Sequence, residues 1–185
     1  IPAGYWLSWG GQFEQLLMAA DRLKIVIPLA LGLVFFLLYT MLGSFRDSLL
    51  VFSAVPLAIV GGIVALWLRD IPLSISAGVG FIAMSGVAVL DGLVLLSFIR
   101  DLRQQGLPLE QAIRTGSLLR LRPVLITTWV ESLGFLPMAL STSTGAEVQR
   151  TLATVMIGST LSQSLLSLLV VPVLYLLVHR GSAGK

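Results

Sequence analysis

The sequence predicts an all-α membrane protein: a bundle of about five transmembrane helices, with an interfacial helix ahead of it and a short cytoplasmic surface helix within it. Three observations carry this prediction. Of 185 residues, 56% are hydrophobic and 11% charged, where a soluble domain carries roughly 25% charged residues. The mean hydropathy is +0.96. Apolar runs near the ~20 residues that a helix needs to cross a bilayer recur between short polar turns. Helix follows because an open sheet cannot satisfy its backbone in lipid, and membrane strands would show short alternating segments.

Residues 1–23 read as a lead-in. Tyr5 to Asp21 is aromatic and polar, with Trp6, Trp9 and Phe13 near Glu14 and Asp21, as suits an amphipathic helix at the membrane surface. The bundle occupies 24–180, with spans expected near 24–43, 49–68, 76–99, 123–141 and 152–178. Gly43-Ser44, Asp70-Ile71-Pro72 and Ser141 to Gly145 supply turns between them. Pro28, Pro56, Pro137 and Pro172 fall near span ends, where a lost backbone bond costs least. The connection 100–122 carries five Arg against Asp101 and Glu110, and Leu109, Ala112, Ile113 and Leu119 recur at helical spacing, so a helix lying on the membrane is expected there. Residues 181–185 form a tail. The chain begins Ile1-Pro2-Ala3-Gly4, without a signal peptide, and is expected to be a fragment of a larger protein.

Charge sets the expected orientation. With the Arg100–Arg122 connection cytoplasmic, Arg46 and the tail lie on the same side, and Arg22, Lys24, Arg69 and Arg150 on the other. The Lys/Arg bias then puts the N-terminus outside and the C-terminus in the cytoplasm. The net charge of +3 is explained by anionic headgroups of the lipid bilayer, and no nucleic-acid partner is expected. Without cysteine, and with His179 as the one histidine, neither a disulfide nor a soft-metal site is available. The scattered methionines read as packing residues. With no phosphate-binding loop and no nucleophile–base pair, neither enzyme chemistry nor a cofactor is expected.

Two carboxylates stand out. Asp91 and Glu131 each lie inside an apolar span, where a charge costs on the order of 3 kcal/mol, and neither span offers a basic residue at similar depth. The third and fourth spans run in opposite directions, and each acid lies about nine residues, or ~13 Å, from the same face. Sequence-adjacent antiparallel helices are often neighbours, so the two acids are candidates to confront each other. Two such groups cannot both ionise cheaply and titrate as a unit. Holding and releasing a proton is what a proton-driven pump requires. Thr127 and Thr128, one turn back from Glu131, are candidate hydrogen-bonding members of this relay. The alternative for each acid is a purely structural role, as a hydrogen bond to a neighbouring Ser, Thr or backbone group or a pair with a basic residue from sequence outside this chain. Gly80, Gly86, Gly92, Gly134 and Gly158 are candidate helix-packing positions, and Ser159, Ser162 and Gln163 share one side of the fifth span.

Several strings resemble the C-terminal membrane half of resistance-nodulation-division transporters, in particular their heavy-metal efflux, cation-exporting branch. They are Gly4-Tyr5 with Trp9 to Glu14, Val79 to Ala83, Gly86 to Leu90, Arg120 to Leu125, Leu133 to Ala139, Gly145 to Arg150, Leu152 to Val155 and Val171 to Tyr175. The resemblance implies the eighth to twelfth helices of a twelve-helix subunit of the bacterial inner membrane. That subunit would lack here its N-terminal half and its porter domain. It also implies a homotrimer with a periplasmic adaptor and an outer-membrane channel, expelling divalent cations against inflowing protons. The branch usually has Asn at the place of Asp91 and a small apolar residue at that of Glu131. Drug exporters carry Lys, and copper or silver exporters an acid, where Leu90 stands. The other readings are a drug-exporting relative, which Leu90 disfavours, and a structural membrane module without transport of its own.

Overall fold

The helices of the computed structural model, which describes residues 12–180, follow from where the chain can and cannot close its backbone bonds. The start of the lead-in (1–11) and the tail (181–185) lie outside the described residues. Six helices succeed one another: α1 Gln12–Leu42, α2 Phe45–Phe52, α3 Ala54–Leu68, α4 Ile75–Gln104, α5 Leu109–Ala139 and α6 Glu147–Arg180.

α1 runs unbroken through residue 23, where a separate interfacial helix was expected to end. Asp21 and Lys24, paired at 2.8 Å one turn apart, bridge that point on the helix surface. α2 and α3 together form one membrane-length segment, Phe45–Leu68. Its interruption at Ser53 has a cause in Pro56, whose ring clashes with the carbonyl four residues back, that of Phe52, the last residue of α2.

α3 ends at Arg69. The next residue, Asp70, takes a left-handed conformation (φ 52°). Its N–H bonds Trp67 O and that of Ile71 bonds Leu66 O, closing the helix before Pro72 bars its continuation. Ser74 then caps α4, accepting from the N–H of Ala77. α4 closes in the same manner, with Gly106 (φ 94°) in the left-handed position and Leu107 N–H on Leu102 O.

The expected basic connection 100–122 is therefore mostly helix. α4 continues to Gln104, and α5 starts at Leu109 and passes through Pro123 without a break. The segment expected as a separate surface helix forms the first third of the continuous α5. Ala112, Ile113 and Gly116 hold it there, Gly116 being so close to Ile99 of α4 that a Cβ would come within 2.9 Å of its side chain. Good helix formers such as Leu, Gln, Arg and Glu sustain a helix beyond the hydrocarbon, so charge marks the end of a span and not the end of a helix.

Among the described residues, Asp21–Leu42, Phe45–Leu68 and Ile75–Gln104 are long and apolar enough to cross a membrane. α6, bent by 43° between Glu147–Leu165 and Ser167–His179, is a fourth if both parts count as one span. That count is below the five expected. α5 falls outside it, carrying Thr127, Thr128, Glu131 and Ser132 in its apolar stretch and Arg120 and Arg122 just before it. It nonetheless packs along α4 and α6. Among the described residues α6 is the common neighbour of α2, α3, α4 and α5, whereas α1 packs on α2 and α4.

The largest core cluster lies at one end, where Leu38, Val51, Leu96, Ile99, Ile113 and Tyr175 meet. Along α3 and α6 the contact is made by small residues. A Cβ on Gly158 would stand 2.6 Å from the Gly61 carbonyl oxygen, and the Ser162 hydroxyl donates to Leu57 O at 3.0 Å.

Candidate functional site

α4, α5 and α6 together position the two membrane acids. Asp91 and Glu131 are both half-buried, and each reaches a side chain of α6. Asp91 lies within electrostatic reach of Glu131 and of Arg120, both on α5. Among the described residues no hydrogen bond joins the two carboxyls; each is instead engaged by α6. The Gln163 side-chain amide donates from Nε2 to Asp91 Oδ2 at 2.7 Å. One turn earlier, the Thr160 hydroxyl lies 3.4 Å from Glu131 Oε2, and 3.9 Å from Met84 Sδ of α4. Thr160 and Gln163, at i and i+3 on one helix face, thus meet the acids of two other helices at neighbouring levels.

The arrangement is dry and sparingly satisfied. Gln163 is 2% exposed and Thr160 6%. Arg120 Nε, Ser132 Oγ, Ser159 Oγ and Gln163 Oε1 are buried and have no hydrogen-bond partner among the described residues. With Asp91 and Glu131 ionised and Arg120 cationic, the site carries one net negative charge, which a single proton neutralises. In so dry a setting the charge state of such groups depends strongly on their hydrogen bonds.

Thr127 and Thr128 are placed differently from the acids. Thr127 is exposed and its hydroxyl returns to Val124 O (2.9 Å) and Pro123 O (3.2 Å). Thr128 is buried and its hydroxyl bonds Val124 O at 2.7 Å. Both therefore satisfy carbonyls of α5, next to the proline that lacks an N–H, and Thr160 is the hydroxyl that meets Glu131. Of the glycines, Gly80 packs on Val155, Gly92 on Val51 and Gly158 on Ala65 and Gly61, while a Cβ on Gly86 or Gly134 meets nothing within 4 Å. Gly86 and the 60%-exposed Leu90 belong to a face of α4 that no described element covers. No group of three or more His, Asp or Glu side chains converges among the described residues.

A second polar cluster lies at the end of the bundle that holds the large core. Asp47, 2% exposed, pairs with Arg100, whose other terminal nitrogen donates to Leu42 O at 3.1 Å. His179 Nε2 stands 3.6 Å from Asp47 Oδ1, and its ring stacks on Tyr175, whose hydroxyl accepts from Arg103. Sequence reasoning did not find this cluster. Its one signal was an acid in the first turn of a segment otherwise bound for the membrane.

The comparisons with known proteins accord with this geometry. The family model described as the AcrB/AcrD/AcrF family matches residues 1–179. The cobalt-zinc-cadmium resistance protein CzcA of Cupriavidus metallidurans is 63% identical over 180 residues, covering 97% of this chain and 17% of that protein. The nickel and cobalt resistance protein CnrA of the same organism is 50% identical, covering all of this chain and 17% of its own length. A crystal structure of a heavy metal efflux pump superposes with a TM-score of 0.82 at 39% identity, over 97% of this chain and 18% of that one. The chain thus spans less than a fifth of the proteins it matches. With the motif resemblance and this helical bundle, the match over nearly the whole chain means that it belongs to the AcrB/AcrD/AcrF family of resistance-nodulation-division transporters and is homologous to its heavy-metal efflux pumps.

Proposed function

We propose that this chain is the C-terminal part of the membrane domain of a proton-coupled exporter of divalent heavy-metal cations in the bacterial inner membrane. Asp91 and Glu131 belong to its proton relay. The observation that carries this reading is the pair itself: two half-buried carboxyls on α4 and α5, in electrostatic reach of each other and each engaged by α6. A purely structural role would call for one acid with a permanent partner. Two acids against one Arg leave an unbalanced charge that a mobile proton fits.

In the mechanism this supports, proton uptake from outside neutralises the pair and lets α4, α5 and α6 pack closely. Release to the cytoplasm restores the charge and favours a wetter arrangement. The uncovered face of α4 around Gly86 and Leu90 is where the N-terminal half of the membrane domain would pack, giving the two-fold arrangement that alternating access needs. Leu90, where drug exporters carry Lys and copper or silver exporters an acid, supports the divalent-cation branch over both. The cation itself would be gathered in the porter region, with the trimer, adaptor and outer-membrane channel completing the route.

The test is zinc or cobalt flux driven by a proton gradient, with the full-length protein in proteoliposomes. Asp91→Asn and Glu131→Ala are each expected to lower flux by about an order of magnitude at the optimal gradient and to change its dependence on pH. Wild-type flux and pH dependence in both variants would remove these side chains from the relay.

A further inference from the structure

Among the described residues, Gln163 is the α6 side chain that hydrogen-bonds Asp91, and its amide has the chemistry to serve both protonation states of that acid. A carboxylate only accepts hydrogen bonds, whereas a carboxylic acid also donates one. A partner able to serve both states must itself donate and accept, and an amide does. Nε2 is 2.7 Å from Asp91 Oδ2, while Oε1 of the same amide is buried with no hydrogen-bond partner among the described residues. The terminal torsion of Gln is broad and roughly two-fold, so a half-turn exchanges the two atoms within nearly the same volume. The charged groups facing Asp91 are Glu131 and Arg120, both from α5. From α3, Ala54 and Ala58 cluster with the neighbouring Ala88. Gln163 is thus the group through which α6, neighbour of four other helices, can sense that carboxyl.

We propose that Gln163 is the positioning residue of Asp91, its amide donating to the ionised carboxylate and turning over to accept from the protonated acid. Each protonation state then has its own amide orientation, and α6 is coupled to proton uptake. The inference rests on the relay role of Asp91 proposed above and adds to it the element that reads the proton.

Infrared difference spectroscopy of the full-length protein in lipid nanodiscs tests this directly. The carboxylic-acid band of Asp91, identified by its loss in Asp91→Asn, is followed through a pH titration. Gln163→Met, similar in size but without the amide, is expected to shift the band and to move the titration midpoint by about one pH unit, tenfold in proton affinity. Gln163→Asn is expected to recover part of both. In the wild type, the side-chain carbonyl band of 13C-labelled glutamine, identified by its loss in Gln163→Met, is expected to change in step with Asp91. This reading holds even if the Met variant fails to fold, with Gln163→Asn then identifying the band. A folded Met variant with the wild-type band and midpoint, or a glutamine band indifferent to the titration, would overturn the proposal. Flux tests the relay and the spectrum tests the amide, so coupled bands in a protein without proton-driven flux would reject the former alone.

Discussion

At Asp47 a nearly fully buried carboxylate is tied to Arg100, which also closes the carbonyl end of α1. Removing one member of a buried pair leaves the other charged and uncompensated, at roughly 3–5 kcal/mol. Arg100→Leu is therefore expected to lower unfolding stability by an amount in that range, and Asp47→Asn by less, because the amide still accepts from Arg100. Denaturant unfolding in detergent measures both. A change below about 0.5 kcal/mol for Arg100→Leu would mean that the pair contributes no net stability. Asp91 and Glu131 were legible in the sequence because a carboxyl within an apolar span has no inexpensive explanation. Asp47 was not, because beside Arg46 it reads as part of a solvated turn, and its partner is 53 residues away. Gln163 was visible as a polar residue on a shared side with Ser159 and Ser162, but only the fold shows which acid it meets.

The helices differ in how closely they tolerate their neighbours, and this sorts the glycines. A methyl group on Gly158 meets Ala65 Cβ at 2.3 Å and the Gly61 carbonyl oxygen at 2.6 Å, and backbone cannot move aside cheaply. Gly158→Ala is expected to destabilise by about 1–3 kcal/mol through overpacking. Gly134→Ala, with nothing within 4 Å, is expected to be neutral or to stabilise by up to about 1 kcal/mol through helix propensity. Thermal unfolding of the two variants side by side checks the ordering, and equal effects would contradict the α3–α6 contact. At this scale the sequence marked several helix ends through Gly43, Pro72 and the Ser141–Gly145 turn, residues whose backbone preferences are local. It did not mark the continuity of α5, because charge and proline at Arg120 to Pro123 resemble a boundary and only packing on α4 and α6 carries the helix through.

For the whole molecule, the proposed orientation places the Gln105–Pro108 turn in the cytoplasm and the Ser141–Ala146 turn outside. A single cysteine introduced at Gln105 should react with an impermeant maleimide only in inside-out vesicles, and one at Thr142 only in right-side-out vesicles. The reverse pattern would invert the topology. The broad apolar exterior of α1, with Ile25 and Leu29 each 72% exposed, suits lipid or the remainder of a longer protein, both of which the membrane reading supplies.

The claim on which the account turns is that Asp91 and Glu131 act as one titrating unit. A double-mutant cycle on proton-driven zinc flux, combining Asp91→Asn with Glu131→Ala in the full-length protein, examines it most directly. The account predicts that the double variant is no slower than the slower single one. Losses that multiply would show two acids working independently and would contradict it.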